Sequence, residues 1–259
     1  GAGSWLAPQR GHRRRFPTPS PDPTASSRMI MSITAQPHFP EDVIDHLADI
    51  AAGSALDQVR RHRSEARSQA QQSFAALFTP AEPVAGAVSL RERLTLAAFT
   101  AGLHGEPRST AFYTRALAAE DADLAAAVSS EVVRGRAASL QAGSGPHGPY
   151  GIYPAGPLSR EDQSGPSYAV DPAHAALLGP RLSAALAHAH LLAYHPRDAS
   201  AQALLALQQA GWSETDIVIL SQLASFLSFQ IRLVAGLRVL GARASVTTAS
   251  STIALQAQP

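Results

Sequence analysis

The stretch Ala210-Gly-Trp-Ser213-Glu-Thr-Asp216-Ile-Val-Ile-Leu220-Ser-Gln-Leu-Ala-Ser-Phe226-Leu-Ser-Phe229-Gln-Ile-Arg232-Leu-Val-Ala-Gly236-Leu reads as one long helix with a marked start. Ser213 followed three residues on by Asp216 is a pattern in which each side chain satisfies a free amide of the first turn. Gly211 suits the end of a preceding helix, and no proline interrupts the apolar run that continues to about Leu240. Upstream, Ser89 and Glu92 repeat the same opening, with Leu90, Leu94, Phe99 and Leu103 as an apolar stripe. Val43, Ile44, Leu47, Ile50 and Ala51 share one face of a helix that starts near Glu41 and stops at Gly53. A second helix is predicted from about Leu56 to Phe78, with Val59, Ala66, Ala70, Phe74 and Leu77 inward and Arg60, Arg61, Arg63, Glu65 and Arg67 toward water. Further helices are predicted over Ser109 to Ala119, Asp121 to Gln141, Pro180 to Tyr194 and Asp198 to Ala210. Ala, Leu and Gln dominate this region while Ile, Val and aromatics are sparse, which favours helix over strand. The fold class is all-α.

Around this helical body the sequence predicts flanking and connecting segments. Residues 1–37 carry Arg13, Arg14 and Arg15, then Pro17, Pro19, Pro21 and Pro23, and are read as a disordered extension. Prolines stand where a secretory signal would place an apolar run, so a cytoplasmic protein is expected. Met29 and Met31 are each a plausible natural start. Residues 38–141 form a first helical unit, 142–171 a long Gly/Pro-rich loop, 172–244 a second unit and 245–259 a tail. Loops this long inside a compact chain are uncommon and are usually lids, binding loops or disorder. Tyr150, Ile152, Tyr153 and Leu158 lie between prolines there, and such side chains gain by docking on the body.

Composition narrows the function. All 21 basic residues are Arg, a usage read as the codon bias of a GC-rich genome, and they face 20 acidic residues for a net charge of +1. That balance does not supply a phosphate-neutralising surface, so nucleic acid is not an expected partner. There is no Cys, which removes disulfides, thiolate nucleophiles and cysteine-based zinc sites together. Gln222, Gln230, Arg232 and Arg238 interrupt the most apolar segment, so no membrane span is predicted.

The run Ala210 to Leu237 resembles the closing helices of alkylhydroperoxidase-like, carboxymuconolactone decarboxylase (CMD) domain proteins. Ser89 to Arg115 is similar to that family's opening unit, and with His188 to His195 the resemblance covers most of residues 40 to 241. It implies a duplicated helical unit assembled as a homo-oligomer. Peroxidase members of the family carry Glu, eleven residues, Cys-x-x-Cys, three residues, then His, a proton relay to a reactive thiol pair. Counting from Glu92 places His104, Pro107 and Ala111 at the two Cys and the His, and counting from Asp216 places Ser228, Ile231 and Ala235 there. Only the carboxylate remains. The resemblance therefore implies a cysteine-less member without thiol peroxidase chemistry, with three readings. One is a binding or structural homo-oligomer. A second is a cysteine-independent lyase or isomerase acting on a small carboxylate, as in the decarboxylase branch. A third is a partner of a cysteine-bearing peroxidase-like paralogue. No cofactor is expected.

The candidate residues each have a structural and a chemical reading. Glu92 is a general acid/base or, preferably, the acidic half of a helix cap. His104 is a proton-transfer group or an imidazole meeting the last carbonyls of its helix. Arg232, inside the most apolar helix, is expected to be buried and paired with Asp216, Asp198 or a neighbouring subunit, or to anchor a carboxylate ligand. Gln230 carries the same ambiguity. His188 is a ligand-binding candidate, but His188, His190 and His195 offer no i, i+4 pair and a metal site is not expected. Tyr150 and Tyr153 are predicted to roof a pocket floored by Glu92 and Arg232 or, in the rival reading, to clasp a neighbouring subunit. The absence of Cys leads to a first prediction: the purified protein reduces no hydroperoxide at the expense of a dithiol above a heat-killed control, as followed by peroxide consumption.

Overall fold

A computed structural model describes residues 39–80, 88–141, 155–157 and 167–256. The predicted extension over 1–37 and the tyrosines Tyr150 and Tyr153 lie outside the described residues. Among the described residues the chain is all-α, as its composition predicts, with nine α-helices: α1 Val43–Ala48, α2 Ala55–Arg61, α3 Ser64–Phe78, α4 Leu90–His104, α5 Pro107–Glu120, α6 Ala122–Gln141, α7 Pro172–Tyr194, α8 Ala201–Gln209 and α9 Glu214–Gln256.

α4 is the central rod. Every residue from Arg93 to Leu103 is buried, so it is enclosed on all sides rather than amphipathic as its leucine stripe suggests. α3, α5, α6, α7 and α9 pack around it. The approach of α6 requires small residues on both helices. A Cβ on Gly102 would stand 2.5 Å from the Val132 side chain, and one on Gly135 would stand 2.8 Å from Leu103. The polar residues of α4 are satisfied locally. Thr95 donates back to the Arg91 carbonyl at 2.8 Å, and buried Arg93 donates to the carbonyls of Leu77 and Val88 at 2.7 and 2.9 Å, capping the end of α3.

The segment predicted as one helix over 56–78 is two, because the chain turns at His62 and Arg63. The turn folds the predicted solvated arginines back onto carboxylates: Arg60 and Arg67 both pair with Asp42 and Asp45, and Arg67 also reaches Asp57. α7 breaks at Gly179, whose φ of 70° and ψ of 171° are open to glycine, and restarts at Pro180 where the sequence predicts a helix start. α9 continues through Gln256, past the tail boundary expected near residue 245. By length and composition the Glu214–Arg243 part of α9 passes for a membrane span, with mean hydropathy 1.7, although half of that window lies buried in the fold.

One side chain ties these helices together. Ser89 and Glu92 cap α4 reciprocally, and Ser213 and Asp216 cap the start of α9 in the same way. Arg181, two residues after the break in α7, sits between the two acids, with Nε 2.7 Å from Glu92 Oε1 and Nη2 3.1 Å from Asp216 Oδ2. Its guanidinium lies 4.1 Å over the Trp212 ring, and Trp212 Nε1 donates to the Arg181 carbonyl at 2.8 Å. Burial alone would raise both carboxyls, but Arg181 and the serine caps hold them below their ordinary values of 4.5 and 3.8. Groups with depressed folded values stabilise above the unfolded values and lose that contribution as pH falls through the folded ones. Arg181→Gln is therefore expected to cost about 2 kcal/mol at neutral pH, seen as a lower urea midpoint. The gap to the parent protein should narrow as the pH drops below about 4; a gap independent of pH would contradict the assignment.

Candidate functional site

The helix starts that read as possible chemistry are occupied by structure. Glu92 Oε2 accepts from the Ser89 backbone N–H at 2.8 Å and Oε1 from Arg181, so both oxygens are committed to holding α4 against α7. Asp216, proposed as a partner for Arg232, is taken by Arg181, and Asp198, the other, accepts from His195 Nδ1 at 3.1 Å. No described cavity is lined by both Glu92 and Arg232.

Arg232 is not buried. It is exposed on α9, its Nη1 donates to the Ser228 carbonyl one turn earlier at 2.9 Å, and among the described residues no carboxylate comes within ion-pair distance of it. The apolar helix that carries it keeps one face outside the core, and the guanidinium lies on that face. There it opens onto a groove of about 620 Å³ between the α4–α5 corner and the second half of α9. Gly105, in the left-handed region at φ 71°, ends α4, and it and His104, the last residue of that helix, line the same groove. Burial lowers the His104 pKa from 6.5 and the nearby Arg232 charge lowers it further, so the imidazole is neutral at pH 7. Its Nε2 lies 3.4 Å from Ser228 Oγ. The groove's carboxylate, Glu106, accepts from the Ser109 backbone N–H at 2.6 Å as the α5 cap and from Arg238 at 3.1 Å. Two guanidiniums thus face one carboxylate that is already engaged. The arrangement suits an anion, with a neutral imidazole beside it.

The remaining candidates separate from this groove. Gln230 is fully buried and accepts the Tyr113 hydroxyl at 2.6 Å, a core hydrogen bond that leaves its Nε2 without a partner. Enclosure raises the Tyr113 pKa, so the hydroxyl stays a donor. His188 is buried within α7, where desolvation lowers its pKa.

A polar cluster that the sequence reading missed forms around Glu131 on α6. Glu131 is fully buried and accepts from Tyr168 OH at 2.6 Å, from the Asp171 backbone N–H at 3.2 Å and from His174 Nδ1 at 2.5 Å. Burial pushes its carboxyl up, but these donors outweigh it and hold the group below its usual range. Tyr168 stacks on His190 with ring centres 4.9 Å apart, and His190 Nε2 lies 3.0 Å from the Gly135 carbonyl. The cluster pins the chain entering α7 onto α6. A single Glu on the apolar side of an Ala-rich helix was the available signal. Among the described residues no three His, Asp or Glu side chains are grouped to hold a metal ion.

Comparison with protein-family models, with curated proteins and with solved structures gives no match. Among the described residues, the groove of His104 and Arg232 joins two of the predicted site residues.

The buried amide gives a separate test of the packing under α9. Tyr113→Phe removes the donor to Gln230 and should cost about 1 to 3 kcal/mol. Adding Gln230→Leu removes the stranded amide and should recover most of that loss in chemical denaturation. A double variant no more stable than Tyr113→Phe would contradict the pairing.

Proposed function

We propose that this chain is a thiol-free, alkylhydroperoxidase/CMD-like binding protein that takes a small carboxylate in the His104–Arg232 groove. The observation that carries the reading is Arg232, an exposed guanidinium with no carboxylate within reach among the described residues, beside a neutral imidazole. A guanidinium presents paired N–H donors that match a carboxylate, and His104 offers a further donor or acceptor depending on its tautomer. The family reading draws support from the two Ser-x-x-acid caps that begin α4 and α9 and meet at Arg181, which is how two copies of one helical unit would be joined. Thiol peroxidase chemistry has no place in it, since no Cys is present.

A second reading, lyase or isomerase chemistry, is favoured by the neutral state of His104. An imidazole free of its second proton can accept one from a carbon next to a carboxyl group held by Arg232. Glu92 has no part in either reading.

Titration calorimetry with a panel of small mono- and dicarboxylates tests both. At least one should bind, and Arg232→Gln should weaken it at least about tenfold, the effect of losing a charge-assisted hydrogen bond. Anion binding favours protonated His104, so affinity should rise as pH falls from 7.5 toward 5.5, and His104→Asn should flatten that slope. Absence of binding across the panel at millimolar concentration, or undiminished binding by Arg232→Gln, would overturn the proposal. Loss of a solvent-to-substrate proton exchange signal in His104→Asn, with binding kept, would single out the second reading.

A further inference from the structure

α9 leaves one line of residues outside the core. Glu214, Val218, Gln222, Ser225, Phe229, Arg232, Gly236, Val239 and Arg243 are all exposed and succeed one another at steps of three or four. This is the spacing at which one helix keeps a straight seam toward another. The large apolar members are well exposed: Val218 at 56%, Phe229 at 49% and Val239 at 59%. Gly236 adds an independent sign. A Cβ there would meet nothing within 4 Å, so nothing among the described residues requires a glycine that weakens the helix by roughly 0.5 to 1 kcal/mol. A bare backbone at an exposed helix position suits close approach by another body.

The order of residues along the seam is self-complementary. Read antiparallel about a point between Ser228 and Phe229, Glu214 falls opposite Arg243, Val218 opposite Val239 and Ser225 opposite Arg232, Gln222 comes opposite Ala235 beside Gly236, and Phe229 lies at the axis. Acid meets base at both ends, apolar meets apolar next, and small residues meet long ones in the middle. The flanking surface follows the same rule. An apolar groove of about 940 Å³, walled by Leu77, Leu204 and Phe226, borders the first half of the seam. The groove of His104 borders the second half.

We infer that α9 pairs antiparallel with α9 of a second copy of this chain, about a twofold axis between Ser228 and Phe229. Val239 and Leu240 of each copy then enter the apolar groove of the other. The first half of the second copy's α9 covers the open side of the His104 groove, setting Ser225 of the second copy opposite Arg232. Val218 to Arg243 spans about 39 Å at 1.5 Å per residue, and with the groove walls on both sides such a seam reaches the scale of about 800 Å² per partner that specific dimers bury. A lipid surface fits less well, because half of the apolar window is buried in the fold and the exposed line carries Gln222, Ser225 and Arg232 at its centre. This inference goes beyond the carboxylate reading and stands without it.

A chain with no native Cys makes the register directly testable by single introduced thiols. Light scattering at micromolar concentration should give twice 27.1 kDa. Phe229→Cys should form a disulfide-linked dimer under mild oxidation. Val218→Cys alone should not, since its twofold mate lies about 32 Å away along the seam, whereas a mixture of Val218→Cys and Val239→Cys should cross-link. Phe229→Glu should raise the dimer dissociation constant at least tenfold with an unchanged circular-dichroism spectrum. A monomeric mass at 100 µM, cross-linking of Val218→Cys as fast as Phe229→Cys, or a monomer that floats with phosphatidylcholine/phosphatidylglycerol vesicles would each overturn it. Carboxylate binding by a proven monomer would overturn the dimer and leave the ligand reading intact.

Discussion

Arg181 is the constraint on which the rest depends. Two long helices, α4 and α9, begin side by side, and each needs an acid in its first turn to satisfy free amides and the positive end of its dipole. Two carboxylates brought together in a half-buried place repel unless a cation lies between them. Arg181 supplies it in a fork that reaches Glu92 and Asp216 separately, and Trp212 covers the face of the guanidinium. The break at Gly179 is what lets α7 deliver that side chain while its earlier turns lie against α6.

The helix starts were legible because capping is local: a Ser and an acid three residues apart fix the first turn whatever surrounds them. The all-α class followed from the same residues. The turn at His62 was not legible, since an arginine-rich face looks solvated until Asp42, Asp45 and Asp57 are known to lie beneath it. Glu131 shows the limit again. Its partners Tyr168 and His174 are 37 and 43 residues away, and no periodic pattern connects them.

The candidate site was legible in its members but not in its grouping. Glu92 and Arg232 both read as charged residues at special places on apolar helices, and pairing them in one pocket ignored the length of α4, which separates its capped start from the end that bears His104. Arg232 was expected inside because its helix is apolar overall. Composition averages around a helix, whereas exposure depends on which side meets neighbours, and among the described residues the line from Val218 to Val239 stays exposed. His104 joins Arg232 because the end of α4 lies beside the second half of α9, a proximity that no local pattern in either helix announces.

Every ion pair among the described residues has Arg or His as its cation, and the chain contains no Lys. A guanidinium keeps its charge throughout the range in which a folded protein survives and does not undergo the acyl transfer open to a primary amine. The side-chain charge network is therefore closed to acetylation, ubiquitin attachment and Schiff-base formation at lysine. Proton uptake by its acids and imidazoles does change it, so acidity is a signal these contacts can answer where the marking of lysine is not.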